Sequence, residues 1–302
     1  MIDQINTVGS AGNTDSADSA DSLDSLQKFL LKDLAIRGAI VSLQSSWQEV
    51  LNRRPYPPQM TELLGQATAA TLLMTANIKF DGRLTLQLQS EGDLRLVVVQ
   101  SDNQLAFRAL AQCKPIKTNQ LSTITENGII AISLENKHEK QPYQGLVGVQ
   151  ADALSENIEF YFNQSEQLKT LLVLRANDQQ AGGVLLQAMP QCDASEDDWQ
   201  RLRYVLNTFS LRELRAIDLP TKLQRLFAED EVVIFPESHP NFDCTCSEER
   251  TLMMLNSLSV SKLEDIIHKD TAINIACDFC GQTYRHDAAT IQALLANRQH
   301  PN

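Results

Sequence analysis

At 302 residues the chain can hold one large domain plus a small one, and 43% apolar residues suffice for a true core. A formal net charge of −12 repels phosphate backbones, which argues against nucleic acid as a general partner. No apolar run is long enough to cross a membrane, and the N-terminus lacks the basic start and apolar stretch of a signal peptide, so a cytoplasmic setting with reduced thiols is expected.

Residues 1–25 are rich in Ser, Asp, Ala and Gly, and Asp3, Asp15, Asp18, Asp21 and Asp24 meet no basic residue before Lys28. Such a segment cannot bury enough apolar surface to offset its ordering entropy, and a disordered acidic tail is expected. From about Ala35 the pattern is globular. Ala35–Leu43 has the Ile and Val content of a strand. Pro57-Pro58 breaks the chain, and Thr61–Asn77 has the Leu, Ala and Met content of a helix buried on most sides. Arg83–Gln89 alternates strictly, Ser90–Asp93 is a turn, and Leu94–Val99 returns as its hairpin partner. Ile129–Leu134 and Leu146–Gln150 suggest a second antiparallel pair. Leu154–Phe162 is a helix, and Leu171–Leu174 and Val184–Gln187 are strands. The expected fold class is α+β: a mainly antiparallel N-terminal domain over 26–192, a helical linker over 193–236 and a small C-terminal zinc-binding module over 237–302.

The linker is dense in charge but carries a narrow apolar stripe, with Trp199, Leu202, Leu206 and Phe209 on one helical face. Ser195 with Asp198 and Ser210 with Glu213 have the spacing of capping boxes, the second opening a helix through Leu211, Leu214 and Ile217. Pro220 starts a third helix carrying Leu223, Leu226 and Phe227. Helices this short depend on docking. Farther on, Ser247, Ser261 (with Glu264) and Asp287 are candidate helix caps. Ile273–Ala276 and Gly281–Arg285 flank the second cysteine pair as strands.

Six cysteines in a reducing compartment point to metal or redox chemistry. Cys244 and Cys246 are one residue apart, Cys277 and Cys280 two apart, and a loop of helical length divides the pairs. That is the pattern of a four-thiolate zinc site, and Gly281 permits a tight turn behind it. Spacing alone leaves two uses open. Zinc could staple a module too small to stabilise itself, or it could arm a switch, because the one-residue spacer makes a strained and labile disulfide ring. Cys113 and Cys192 stand apart and read as buried inert thiols, and His268 and His286 as surface residues beside a filled ligand set. No phosphate cradle, serine elbow or metalloprotease helix is present, so nucleotide chemistry and the commoner catalytic classes are not expected.

The cysteine pairs resemble the zinc signature of the 33 kDa heat-shock protein family, the redox-regulated holdase chaperones. Phe80-Asp-Gly-Arg-Leu-Thr-Leu-Gln-Leu-Gln89, Tyr143-Gln-Gly145, Tyr161-Phe-Asn-Gln-Ser-Glu-Gln167 and Ala181-Gly-Gly-Val-Leu-Leu-Gln187 resemble its N-terminal domain, and the likeness runs over about 27–297. The resemblance implies an ATP-independent chaperone, not an enzyme, holding one zinc per reduced chain and no nucleotide. It implies that oxidation forms Cys244–Cys246 and Cys277–Cys280 disulfides, expels zinc, unfolds the linker from a docking face of Trp199, Leu202, Leu206, Phe209, Leu223 and Phe227, and yields a homodimer that holds unfolding clients. Membrane and nucleic acid are not expected partners. Two rivals remain in the residues. A thiol–disulfide oxidoreductase would use Cys277 and Cys280. A nucleic-acid-binding zinc module would use Arg250, Lys262, Lys269, Arg285 and Arg298, which acidic residues interrupt.

Overall fold

The computed structural model describes residues 24–139, 141–212, 218–269 and 272–299. The acidic tail, apart from Asp24 and Ser25, lies outside them, as does the capping box expected at Ser210–Glu213, through its second residue.

Two mainly antiparallel sheets enclose one helix. The first sheet has five strands. β1 (Ser25–Leu31), β2 (Ile36–Leu43), β8 (Thr170–Ala176), β9 (Ala181–Ala188) and β10 (Val232–Ser238) are ordered β10-β1-β2-β9-β8. The second has six. β3 (Gly82–Gln89), β4 (Leu94–Asp102), β5 (Ala106–Cys113), β6 (Ile129–Asn136), β7 (Tyr143–Gly148) and the short β11 (Asn241–Phe242) are ordered β11-β5-β4-β3-β6-β7. Between them lies α2 (Pro58–Asn77), entered through Pro58, a residue suited to a first turn because it brings no N–H to satisfy. Both sheets pack on α2, and its Leu, Ala and Met side chains join the main core cluster from all sides. A Cβ on Gly65 would stand 2.5 Å from the Ala176 methyl, so this glycine sets how closely α2 meets the first sheet. The helices α1 (Ser45–Arg53), α3 (Leu121–Ile124) and α4 (Leu154–Ser165) close the domain.

The antiparallel α+β class agrees with the sequence, the hairpin at Ser90–Asp93 forms in the expected place, and the β6–β7 pair forms with β7 starting at Tyr143 and ending at Gly148 rather than spanning Leu146–Gln150. Four strands of the two sheets, β1, β5, β10 and β11, escape the sequence pattern. β1 begins inside the expected tail. Asp24 is buried, and its carboxylate accepts from the backbone N–H groups of Gln44 and Ser46 at the head of α1, so the folded chain starts ahead of the expected boundary.

The outer face of the first sheet is covered by α5 (Glu196–Asn207) and α6 (Leu219–Leu226). Ser195 and Asp198 form a capping box, with acidic residues in the first turn complementing the helix dipole. Asp218 caps α6 by accepting from the Thr221 N–H. Over Val232–Ser238, however, the expected helical connector is the strand β10, paired with β1. The β-branched run Val232-Val233-Ile234 favours extension, and Pro236 is tolerated on an outer strand.

The C-terminal module holds α7 (Glu248–Ser257), α8 (Val260–Lys269), the hairpin of β12 (Ala272–Ala276) and β13 (Thr283–Asp287), and α9 (Ala288–Gln299). Ser247 caps α7, and Asp287 accepts from the Thr290 N–H at the start of α9. The cap of α8 is Ser259, which accepts from the Lys262 N–H, and Ser261 sits within the first turn instead.

Candidate metal centre

The first cysteine pair is positioned by the N-terminal domain. β11 runs parallel to β5, and the Asp243 N–H donates to the Phe107 carbonyl at 2.8 Å immediately before Cys244. The second pair closes the β12–β13 hairpin. There the Cys277 N–H donates to the Gln282 carbonyl and the Gly281 N–H to the Cys277 carbonyl, at 2.9 and 2.8 Å. Gly281 has φ +73°, a backbone region that a side chain would strain, so glycine is required at this turn.

The four sulfurs of Cys244, Cys246, Cys277 and Cys280 lie within 4.8 Å of one another. Cys244 Sγ is 3.6 Å from Cys277 Sγ, and Cys246 Sγ is 3.4 Å from Cys280 Sγ. A tetrahedral cage with Zn–S near ~2.3 Å has edges of about 3.8 Å, so the donor set and its spacing fit a zinc-sized soft cation. All six cysteines are free thiols.

Burial pushes the Cys280 thiol up to about 12 and raises Cys244 as well. Burial also acts to raise Cys246, but hydrogen bonds from the Tyr284 hydroxyl and then the neighbouring thiols outweigh it, and the net shift is downward. Tyr284 Oη donates to Cys246 Sγ at 3.2 Å, a bond that moves the tyrosine itself up to about 12. A cation in the cage would hold all four sulfurs as thiolates, since a coordinated thiol is deprotonated outright. Tyr284 then serves as the outer partner of one ligand, and such partners typically carry a factor of about 10–100 in metal affinity. Tyr284→Phe is therefore expected to release zinc to a competing chelator about tenfold faster than the parent. An unchanged rate would remove the hydroxyl from the cage.

Other candidate residues fall differently. His286, expected at the surface, is 2% exposed, and its Nε2 lies 2.8 Å from Thr251 Oγ1. It is outside the sulfur cluster and ties β13 to α7. Tyr284 and His286 alternate along β13 and point inward together, a period-two signal present in the sequence that reading the segment as a ligand hairpin passes over. The side chain of His268 lies outside the described residues. Cys113 and Cys192 are half-buried rather than buried, packed against the main core and against the cluster beneath α5 and α6 respectively. Phe279, inside the second cysteine pair, has the Arg108 guanidinium of β5 stacked 4.2 Å from its ring centre, which seats the metal loop on the second sheet. Sequence carries no signal for that contact, because it joins residues far apart in the chain.

Trp199, Leu202, Leu206, Phe209, Leu223 and Phe227 are all buried, in one cluster with Phe29, Ile36, Val184 and Leu186 of the first sheet. Leu219 belongs to the same cluster, although the sequence pattern does not single it out. Phe227 stacks on Phe29 with ring centres 5.3 Å apart, and Lys169 stands 5.1 Å over the Trp199 ring. Among the described residues three charged pairs hold α5: Arg203 on Glu159 at 2.9 Å, Arg201 on Asp230 at 2.5 Å and Lys169 on Glu196 at 2.5 Å.

A family model described as Hsp33 protein matches residues 24–287. The 33 kDa chaperonin of Chromobacterium violaceum is 37% identical over 268 residues, covering 86% of this chain and 90% of its own. The 33 kDa chaperonin of Vibrio cholerae is 35% identical, covering 89% and 94%. The crystal structure of the 33 kDa chaperonin from Thermotoga maritima superposes with a TM-score of 0.80 at 20% identity, over 91% of this chain and 99% of that one, which supports the same fold.

Proposed function

The chain belongs to the Hsp33 family, and from that premise we propose that it is a redox-regulated, ATP-independent holdase. The observation that carries this reading is the position of the sulfur cage. It directly follows a segment stitched to both sheets, and that segment in turn follows the helices covering the first sheet. A change at the cage therefore reaches the covered apolar face along the chain itself.

In the reduced state Cys244, Cys246, Cys277 and Cys280 would hold one zinc, which cross-links the module as a structural ion. Under peroxide or hypochlorous acid each pair becomes a disulfide. With peroxide, two thiolate sulfurs would give up two electrons, the O–O bond breaks, two protons come from solvent, one S–S bond forms and two waters leave. Loop-closure entropy favours Cys244–Cys246 and Cys277–Cys280 once the cage opens. The two close sulfur contacts given above join the pairs crosswise, as edges of the folded cage, so the pairing is a discriminating test. Disulfide sulfurs no longer hold the cation; the module loosens, α5 and α6 undock, and the exposed apolar face captures unfolding clients in the cytoplasm as a homodimer.

The rival thiol–disulfide oxidoreductase is disfavoured by where Cys277 and Cys280 lie. They close a hairpin, whereas activated Cys-x-x-Cys thiols sit at a helix N-terminus. A nucleic-acid role is disfavoured by the acidic charge, and among the described residues no helix is long and apolar enough to cross a membrane.

The test measures zinc content, free thiols and disulfide connectivity before and after peroxide, with client protection on the same samples. The reading expects zinc loss together with Cys244–Cys246 and Cys277–Cys280 bonds and a gain of protection. Retained zinc in the protecting form, or mainly Cys113–Cys192 bonding, would place the switch elsewhere.

A further inference from the structure

β10 is the outermost strand of the first sheet, yet it comes from the segment between α6 and the metal site. It pairs antiparallel with β1: Val232 opposite Leu31, Val233 opposite Leu30 and Ile234 opposite Phe29. After a bulge, Glu237 faces Gln27 and Ser238 faces Leu26. Val232 and Ile234 pack against the cluster beneath α5 and α6, while Val233 and Phe235 point outward and are exposed. Apart from those two inward apolar side chains, the hold is mostly backbone. The Lys32 N–H donates to the Glu231 carbonyl at 3.0 Å, and Gln27 Nε2 donates to the Phe235 carbonyl.

Both ends of β10 are anchored in the parts that the proposed switch releases. At the start, Asp230 is clamped by Arg201 of α5. At the end, His239 Nδ1 meets the Asp24 carbonyl at 3.1 Å, and the chain then passes through β11 to Cys244. If α5 undocks and the cage opens, β10 keeps its ladder, its two inward apolar contacts and the side-chain bonds from Gln27 and Ser25 of β1.

Resting on that holdase reading, we propose that β10 is a built-in stand-in for the client: once it leaves, the β1 edge over Leu26–Leu31 takes an extended client segment in its place. The seated strand defines the chemistry of what fits. The occupant is an extended polypeptide with apolar side chains two residues apart facing inward and any tolerated residues outward. Backbone hydrogen bonds give affinity that is nearly independent of sequence, as in strand addition to a sheet edge. An unpaired edge is an open template for such pairing. The edge also separates unfolding from native proteins, because a native strand already has its backbone groups paired. Docking of unfolding segments on a flat apolar face alone would lack that discrimination.

A staple tests the proposal. Leu30 and Val233 are Cα partners with outward-facing side chains, so a Leu30→Cys/Val233→Cys variant closes a disulfide that keeps β10 on β1 when the protein is oxidised. After peroxide this variant is expected to lose zinc like the parent but to protect thermally unfolding malate dehydrogenase about tenfold less well, with the Val233→Cys single variant, which leaves β1 unaltered, protecting normally. Equal protection by the stapled protein would overturn the proposal. So would a staple that forms between two copies of the double variant with client capture intact, because the edge would then be filled by a second chain. A labelled peptide copying residues 230–240 gives an independent arm that does not depend on opening of the stapled variant. It should bind oxidised parent protein, compete with the client, and ignore the reduced form; absence of binding to the oxidised parent overturns the proposal. Failure of the parent itself to lose zinc or protect on oxidation would instead reject the holdase reading, with the strand proposal falling alongside it.

Discussion

Removing the metal from reduced protein, or replacing Cys280 with serine, is expected to unfold residues 244–299 while residues 24–188 stay folded. The module has little else to hold it. Among the described residues its apolar cluster has three buried side chains, Leu255, Leu263 and Ile291, with half-buried neighbours around them, and Met253, Met254 and Val260 are exposed. A structural zinc supplies on the order of 10 kcal/mol to a module of this kind, whereas whole domains are typically stable by about 5–15 kcal/mol. The N-terminal domain has α2 enclosed by two sheets and does not draw on the metal. Limited proteolysis with mass mapping should show cuts confined to the module and its connector after chelation. A chelated protein that resisted cleavage throughout 244–299 would mean that the apolar core alone sustains the module.

Trp199→Ala is expected to give client protection in reduced, zinc-loaded protein. Trp199 is 4% exposed and joins the cluster that binds α5 to the first sheet, and Lys169 lies over its ring. Deleting a buried aromatic side chain costs about 3–5 kcal/mol, a large fraction of what holds a short helix that relies on docking. The Arg201–Asp230, Arg203–Glu159 and Lys169–Glu196 pairs would remain, but they do not replace the apolar surface on which a short helix relies for docking. The variant should keep its zinc, because Trp199 is remote in sequence from the cage and its cluster contains no ligand. Protection by a zinc-loaded variant separates undocking from metal loss. A variant silent when reduced and normally activated by peroxide would remove Trp199 from the mechanism.

The sequence was most informative where local chemistry decides structure. Ser195 with Asp198 writes a capping box, strict alternation writes β3, and the two cysteine pairs announce a four-sulfur cluster before the fold is known. The apolar stripe of α5 was legible for the same reason, because one face of one helix must be covered. Long-range pairing left no such trace. β10 follows two helices in a charged connector, and its strand character depends on an open edge at β1, which itself begins inside an acidic, Ser-rich stretch. The Arg108–Phe279 stack and the burial of His286 likewise need the module folded against its neighbours. As a result, sequence suggested a helical connector docked on the first domain through its apolar stripe, whereas the structure adds a stretch of strand that sews the connector to both sheets. That difference matters for the mechanism, since a sewn segment transmits a change at the cage into two sheet edges as well as into the docked helices.

Hydrogen exchange across 196–242, read on samples whose zinc content and client protection are measured in parallel, tests the central claim most directly. The account predicts slow amides over Glu196–Asn207, Leu219–Leu226 and Val232–Ser238 in the reduced zinc form, and fast exchange over all three once peroxide has expelled the metal and protection appears. Oxidised protein that is free of zinc and protects clients while those amides remain slow would contradict it.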